Sequence, residues 1–149
     1  MLNKDIMKKI INIILLIIWV IVIFLLSNDN AVQSNDKSNG IAYFIASKIN
    51  IMDTDTLKFV IRKIAHITEY FILGILLLNV LKDYYNINIK LVIITILFCF
   101  SYAISDEVHQ LFIQNRSGKF SDVLIDTSGS ILGTCIYYLL LRRKNVSKK

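Results

Sequence analysis

Four apolar runs, at residues 10–26, 64–81, 91–104 and 123–141, leave this 149-residue chain few ways to fold. Hydrophobic residues make up 55% of it and charged residues only 19%, more apolar and less charged than ordinary soluble domains. A bilayer core of about 30 Å asks for about 20 mainly apolar residues as helix. The first and fourth runs meet that length directly. The second meets it only by including His66 and Glu69, and the third only by extending to about Gln110. None alternates apolar and polar residues as barrel strands do. The expected fold is therefore an all-α membrane protein, one domain over residues 1–149. It is a bundle of four transmembrane helices near 8–27, 60–81, 90–111 and 122–141, with an outer loop at 28–56. The chain has no proline, so nothing predicts a sharply kinked span.

Lys4, Lys8 and Lys9 precede the first run, as in a signal peptide. The apolar core that follows is longer than the roughly 7–15 residues of such a peptide, which favours a retained anchor. Cys99 and Cys135 fall inside the third and fourth runs, where they serve as small packing residues rather than as a disulfide or a metal site.

With four spans, both termini share a side with the short turn between the second and third helices. That side carries Lys4, Lys8, Lys9, Lys82, Lys90, Arg142, Arg143, Lys144, Lys148 and Lys149, against seven basic residues on the other. Excess Lys and Arg mark the cytoplasmic face, so both termini are expected in the cytoplasm of a multi-pass protein of the cell membrane. The net charge of +6 is then mostly juxtamembrane and suits anionic lipid. Nucleic acid is not an expected partner, because no soluble domain carries a basic face.

The outer segment opens with a polar stretch. Ile41, Phe44, Ile45 and Ile49 then recur at helical spacing, interrupted by Ser47 and Lys48. This fits either a short interfacial helix or a loop packed on the bundle. Asp53-Thr54-Asp55-Thr56 offers several N-caps for the helix that follows.

Three polar clusters sit at the outer ends of the last three runs. A charge within hydrocarbon costs roughly 2.5–3.5 kcal/mol on insertion scales, so clustered charges there mark a candidate functional site. On the second helix Arg62, His66, Glu69 and Leu73 share one face, with Lys63 and Tyr70 on an adjoining stripe. At about 1.5 Å per residue, Glu69 lies about 10 Å below Arg62 along the axis. The third helix ends with Asp106, His109 and Gln110 on one side and Glu107 beside them; Asp106 and His109 are close enough to interact. Asp122, Asp126 and Ser130 line the fourth helix, where Gly129 and Gly133 form a G-x-x-x-G that permits close helix contact. Asp122 suits an N-cap. Asp126 lies too deep for that and is expected to face Arg62, Lys63 or Arg116. Gly118, in the turn before the fourth helix, would allow φ > 0. Cations and carboxylates nearly balance if Lys119 is included, as a buried ion network requires.

These clusters resemble the VanZ-like family of small integral membrane proteins. The likeness rests on Arg62-Lys63-x-x-His66-x-x-Glu69-Tyr70, then Asp106-Glu107-x-His109-Gln110, then Arg116, then Asp122-x-x-x-Asp126-x-x-Gly129. It spans roughly residues 62–133, with the first helix resting on hydropathy only. Family members often carry a proline before the arginine, where this chain has Ile113-Gln114-Asn115-Arg116. The family takes its name from an accessory protein of glycopeptide-resistance clusters linked to low-level teicoplanin resistance, and it has no settled biochemical activity.

Three functions fit these residues. The first is an envelope protein that binds an anionic lipid or cell-wall intermediate in an outward-facing polar pocket. Arg62, Lys63 and Arg116 would hold the anion while Glu69, Asp106 and Asp126 orient them; Tyr70, Gln110 and Asp122 would complete the binding surface. Through it the protein could contribute to teicoplanin-type resistance. The second is a membrane-embedded hydrolase or transferase of a lipid-linked substrate. Candidate catalytic residues are His66, Glu69, Asp106, Glu107, His109 and Asp126. A variant uses His and acidic groups as metal ligands, without H-x-x-x-H spacing to support it. The third is a structural ion-pair network. The residues specify no cofactor, no metal and no oligomeric state.

Overall fold

The computed structural model describes residues 3–28, 40, 53–114 and 116–146. It contains helices α1 (Lys4–Ser27), α2 (Thr54–Leu81), α3 (Ile89–Gln110) and α4 (Phe120–Val146), and no strand among the described residues. Each helix is long and apolar enough to cross a membrane, so the chain is an all-α, multi-pass membrane protein. The segment at 41–49 lies outside the described residues.

Local chemistry sets the helix ends. Helix α2 starts at Thr54 rather than near 60 because Asp53 caps it, accepting the Thr56 amide at 3.4 Å. The Thr56 hydroxyl and amide together hold the Asp53 carboxyl below the ordinary carboxylate range. Lys58 and Asp55 pair at 3.0 Å across the same turn. At the start of α3 the Asn88 side chain accepts the Leu91 amide at 3.0 Å. Helix α4 continues past 141 to Val146, where Arg143 and Lys144 complement the negative end of its dipole.

Cross-helix contacts fix the directions. Asn12 donates to Asp83 at 2.6 Å, joining the start of α1 to the end of α2. Tyr102 donates to the Val20 carbonyl at 3.0 Å, and Gln110 to Ser27 at 3.3 Å. Helices α1 and α3 therefore run parallel. Helices α2 and α4 also run parallel, with Lys63 beside Asp122 at one end and Lys82 beside Tyr137 towards the other. The bundle alternates up and down, and the three polar clusters share one end.

The α2–α4 interface is the most extensive of the bundle, and glycine makes it possible. A Cβ on Gly129 would lie 2.4 Å from the Ile67 carbonyl oxygen, and one on Gly133 would lie 2.1 Å from that of Phe71. The expected close helix contact is therefore backbone against backbone. Ser130 and Thr134 are fully buried along the same seam.

Ile23, Tyr70, Leu73, Cys99, Ala103 and Val123 form the core. Both cysteines are free, in the packing role expected of them. Helix α1 exposes Ile10, Ile11, Ile14, Ile17, Ile18 and Ile21, a lipid-facing surface. Its Trp19 instead turns inward and donates to the Glu69 carbonyl at 2.9 Å. A tryptophan N–H in hydrocarbon needs such a partner.

Candidate functional site

The parallel register of α2 and α4 builds one wall of the site. Lys63 forms an ion pair with Asp122, and one turn deeper His66 Nδ1 lies 3.2 Å from Asp126 Oδ1. The expectation that Asp126 faces an arginine or lysine is therefore corrected. Lys63 sits a turn too near the surface and meets Asp122, which leaves His66 opposite Asp126. Asp122 is likewise engaged across the helix pair, with Ser121 donating to it at 3.1 Å. The ring nitrogen of His66 is close to Asp126 without forming an aligned hydrogen bond, since neither atom has a hydrogen-bond partner. The contact is electrostatic.

The end of α3 supplies the other wall. One oxygen from each of Asp106, Glu107 and Asp126 can be chosen so that all lie within 4.8 Å of one another. Asp106 and Glu107 are each 5% exposed and Asp126 is fully buried. Three ionised carboxylates at that spacing repel by roughly 3 kcal/mol per pair at an effective dielectric near 20, unless protons or cations intervene. Asp106 lies against Ser27 and Gln110. Glu107 accepts the Lys119 amide at 2.7 Å, while its other oxygen and both oxygens of Asp126 have no hydrogen-bond partner. The Tyr70 hydroxyl is also buried and unpartnered, within electrostatic reach of Asp106 and Asp126.

Gly118 makes the Lys119 contact possible for a reason other than the expected one. Its φ is not in the left-handed region; instead a Cβ there would stand 2.3 Å from the Glu107 carbonyl oxygen. The turn must pass directly over the end of α3. Only glycine is thin enough.

The cations lie around this acidic centre rather than within it. Lys63 is partly exposed beside Asp122 and lies 5.2 Å from the Phe59 ring centroid. Arg62 is half-buried on α2. Arg116 is half-buried in the turn before α4, within electrostatic reach of Glu69. Its side chain makes no hydrogen bond or ion pair among the described residues. Lys63 thus meets Asp122 at the edge of the site, while Asp106, Glu107 and Asp126 are buried deeper.

His109 is turned elsewhere. The His109 ring lies 4.9 Å from that of Phe24, with Nε2 3.3 Å from Asn28 Oδ1, so it faces the end of α1 and not Asp106. Gln110 belongs to the same α1–α3 seam through Ser27. Sequence reasoning missed Trp19 and Ser27 as neighbours of the site. The tryptophan offered one signal, an indole N–H on an otherwise lipid-facing helix; Ser27 offered none.

The arrangement has three chemical capacities. Its carboxylate oxygens suit a hard cation, His66 beside Asp126 suits proton transfer, and the peripheral guanidinium and ammonium groups suit a phosphate or carboxylate. A family model described as VanZ/LLP1 matches residues 12–141, which takes in all three clusters and extends the likeness to α1. No curated protein and no solved structure matches the chain.

Proposed function

The chain belongs to the VanZ/LLP1 family, and we propose that it is a cell-envelope protein that binds the anionic headgroup of a membrane lipid or lipid-linked cell-wall intermediate. The polar end of the bundle faces outward in this reading, with both termini cytoplasmic, as the distribution of Lys and Arg favours. The observation that carries it is Arg116. A half-buried guanidinium with no ion pair among the described residues, poised near Glu69, suits a ligand that brings the negative charge. Arg62 and Lys63 flank the approach, while Glu69, Asp106 and Asp126 set the field behind it. Binding of such a lipid would be the means by which the protein contributes to teicoplanin-type resistance.

The His66–Asp126 contact favours a second reading, a membrane-embedded hydrolase or transferase of the same lipid class. His66 would act as base, with Asp126 orienting it. The test applies to both. The purified protein is examined by native mass spectrometry for bound anionic lipid, and incubated with lipid phosphates and lipid-linked sugars. Binding lost in Arg62→Gln/Arg116→Gln, with no turnover by the parent protein, supports the first reading. Turnover abolished by His66→Ala supports the second. Unchanged lipid binding and teicoplanin susceptibility in the arginine variant, at normal abundance, overturn the first.

A further inference from the structure

We infer that Asp106, Glu107 and Asp126 form a binding site for a hard divalent cation, of the Mg²⁺, Mn²⁺ or Ca²⁺ class, in the polar end of the bundle. The spacing fits. Two oxygens on opposite sides of one ion stand about 4–5 Å apart when metal–oxygen bonds are about 2.0–2.6 Å, and the three carboxylates offer oxygens all within 4.8 Å. The donor set is also specific in kind. It is all oxygen, with no thiolate in the group, which suits these ions better than softer metals.

The surroundings argue against a self-contained acidic cluster. Asp126 is fully buried and faces His66 only through Oδ1, while its Oδ2 and Glu107 Oε1 have no hydrogen-bond partner. Leaving a buried polar group unmatched is expensive, and more so when it is charged. A second, separate side chain points the same way. Tyr70 comes from α2, which gives none of the three carboxylates, and is fully buried. Its hydroxyl has no partner and lies within electrostatic reach of Asp106 and Asp126. A hydroxyl there can coordinate an ion or accept from a water on it.

The groups behind the carboxylates already hold them in place. The Lys119 amide donates to Glu107 Oε2 at 2.7 Å, leaving the other oxygen to face inward. Ser27 and Gln110 lie against Asp106, and His66 lies beside Asp126. Outer contacts of this kind orient metal-binding carboxylates. The ion would add positive charge to the polar end of the bundle that also carries Arg116 and could bridge to a lipid phosphate. That use rests on the anion-binding reading above; the presence of the ion does not.

The test is run on the full chain in detergent, stripped with chelator and titrated with MnCl₂ alone, without lipid. Calorimetry and thermal unfolding give the readout. The expected result is one Mn²⁺ per chain and a rise in Tm reversed by EDTA. Asp126→Asn and Glu107→Gln should each weaken Mn²⁺ at least tenfold, while the exposed Asp55→Asn binds as the parent does. Should Asp126→Asn not accumulate, Glu107→Gln and Asp106→Asn carry the test. No binding at millimolar Mn²⁺, or equal binding by the parent and the carboxamide variants, overturns the site. Either outcome leaves lipid binding measurable by itself.

Discussion

His66 on α2 and Asp126 on α4 meet at 3.2 Å, a full turn below the Lys63–Asp122 pair. The contact ties the two helices that dominate the bundle at the depth where the acidic cluster begins. Either partner removed alone leaves the other in a poorly solvated place. His66→Gln and Asp126→Asn should therefore be non-additive, with a coupling energy of about 1 kcal/mol in a double-mutant cycle of thermal unfolding. Strict additivity would show that the contact is incidental.

The glycine seam makes a sharper prediction. Gly133→Leu places a side chain where the Phe71 carbonyl already sits 2.1 Å from the Cβ position, so the helices must separate. Loss of stability should exceed about 2 kcal/mol, the usual range for overpacking a tight core, and the protein should be depleted from membranes. Gly40→Leu is the matched control, since a Cβ at Gly40 meets nothing within 4 Å.

Gly118→Ala should act on the site more than on the bundle. The added methyl meets the Glu107 carbonyl at 2.3 Å and must lift the turn, stretching the Lys119 amide from Glu107 Oε2. We expect weakened metal and lipid binding with a stability loss of about 1–2 kcal/mol. Calorimetry and thermal unfolding on the same sample separate the two effects.

Trp19 is the single tryptophan of the chain, and its N–H holds α1 to α2 through the Glu69 carbonyl at 2.9 Å. Trp19→Phe keeps most of the apolar bulk and deletes the donor. The expected cost is about 1 kcal/mol, read as a lower denaturation midpoint. Unchanged stability would mean that lipid contact alone keeps α1 in place.

Orientation is checked by labelling. Ser117→Cys, exposed in the turn before α4, should react with a membrane-impermeant maleimide in intact cells. Tyr85→Cys, exposed in the turn between α2 and α3, should react only after the cells are opened. The reverse pattern would place the acidic cluster on the inner face and remove the cell-wall ligand from consideration.

The four spans were legible because hydropathy is additive along the chain and needs no knowledge of neighbours. The starts of α2 and α3 follow from Asp53 and Asn88, residues whose capping chemistry is local. The meeting of the polar ends was also legible, since alternating spans leave the ends of α1 and α3 beside the starts of α2 and α4. Partner choice was not. Whether Asp126 meets Lys63 or His66 depends on a shift of one turn between α2 and α4, and that register is fixed by backbone contact at Ile67–Gly129 and Phe71–Gly133. His109 eluded the sequence for a related reason. Its neighbours are some 80 positions away: Phe24 on a helix whose pattern reads as apolar, and Asn28 just past its end. Gly118 was noticed for torsional freedom, whereas its role is thinness.

At Ile67–Gly129 and Phe71–Gly133, helices α2 and α4 touch main chain to main chain, with no side chain between them able to repack or slide. The two are therefore expected to move as a single stiff post that carries Asp126 at one height. Adjustment to a visitor is therefore expected from α3, α1 and the turn over Gly118.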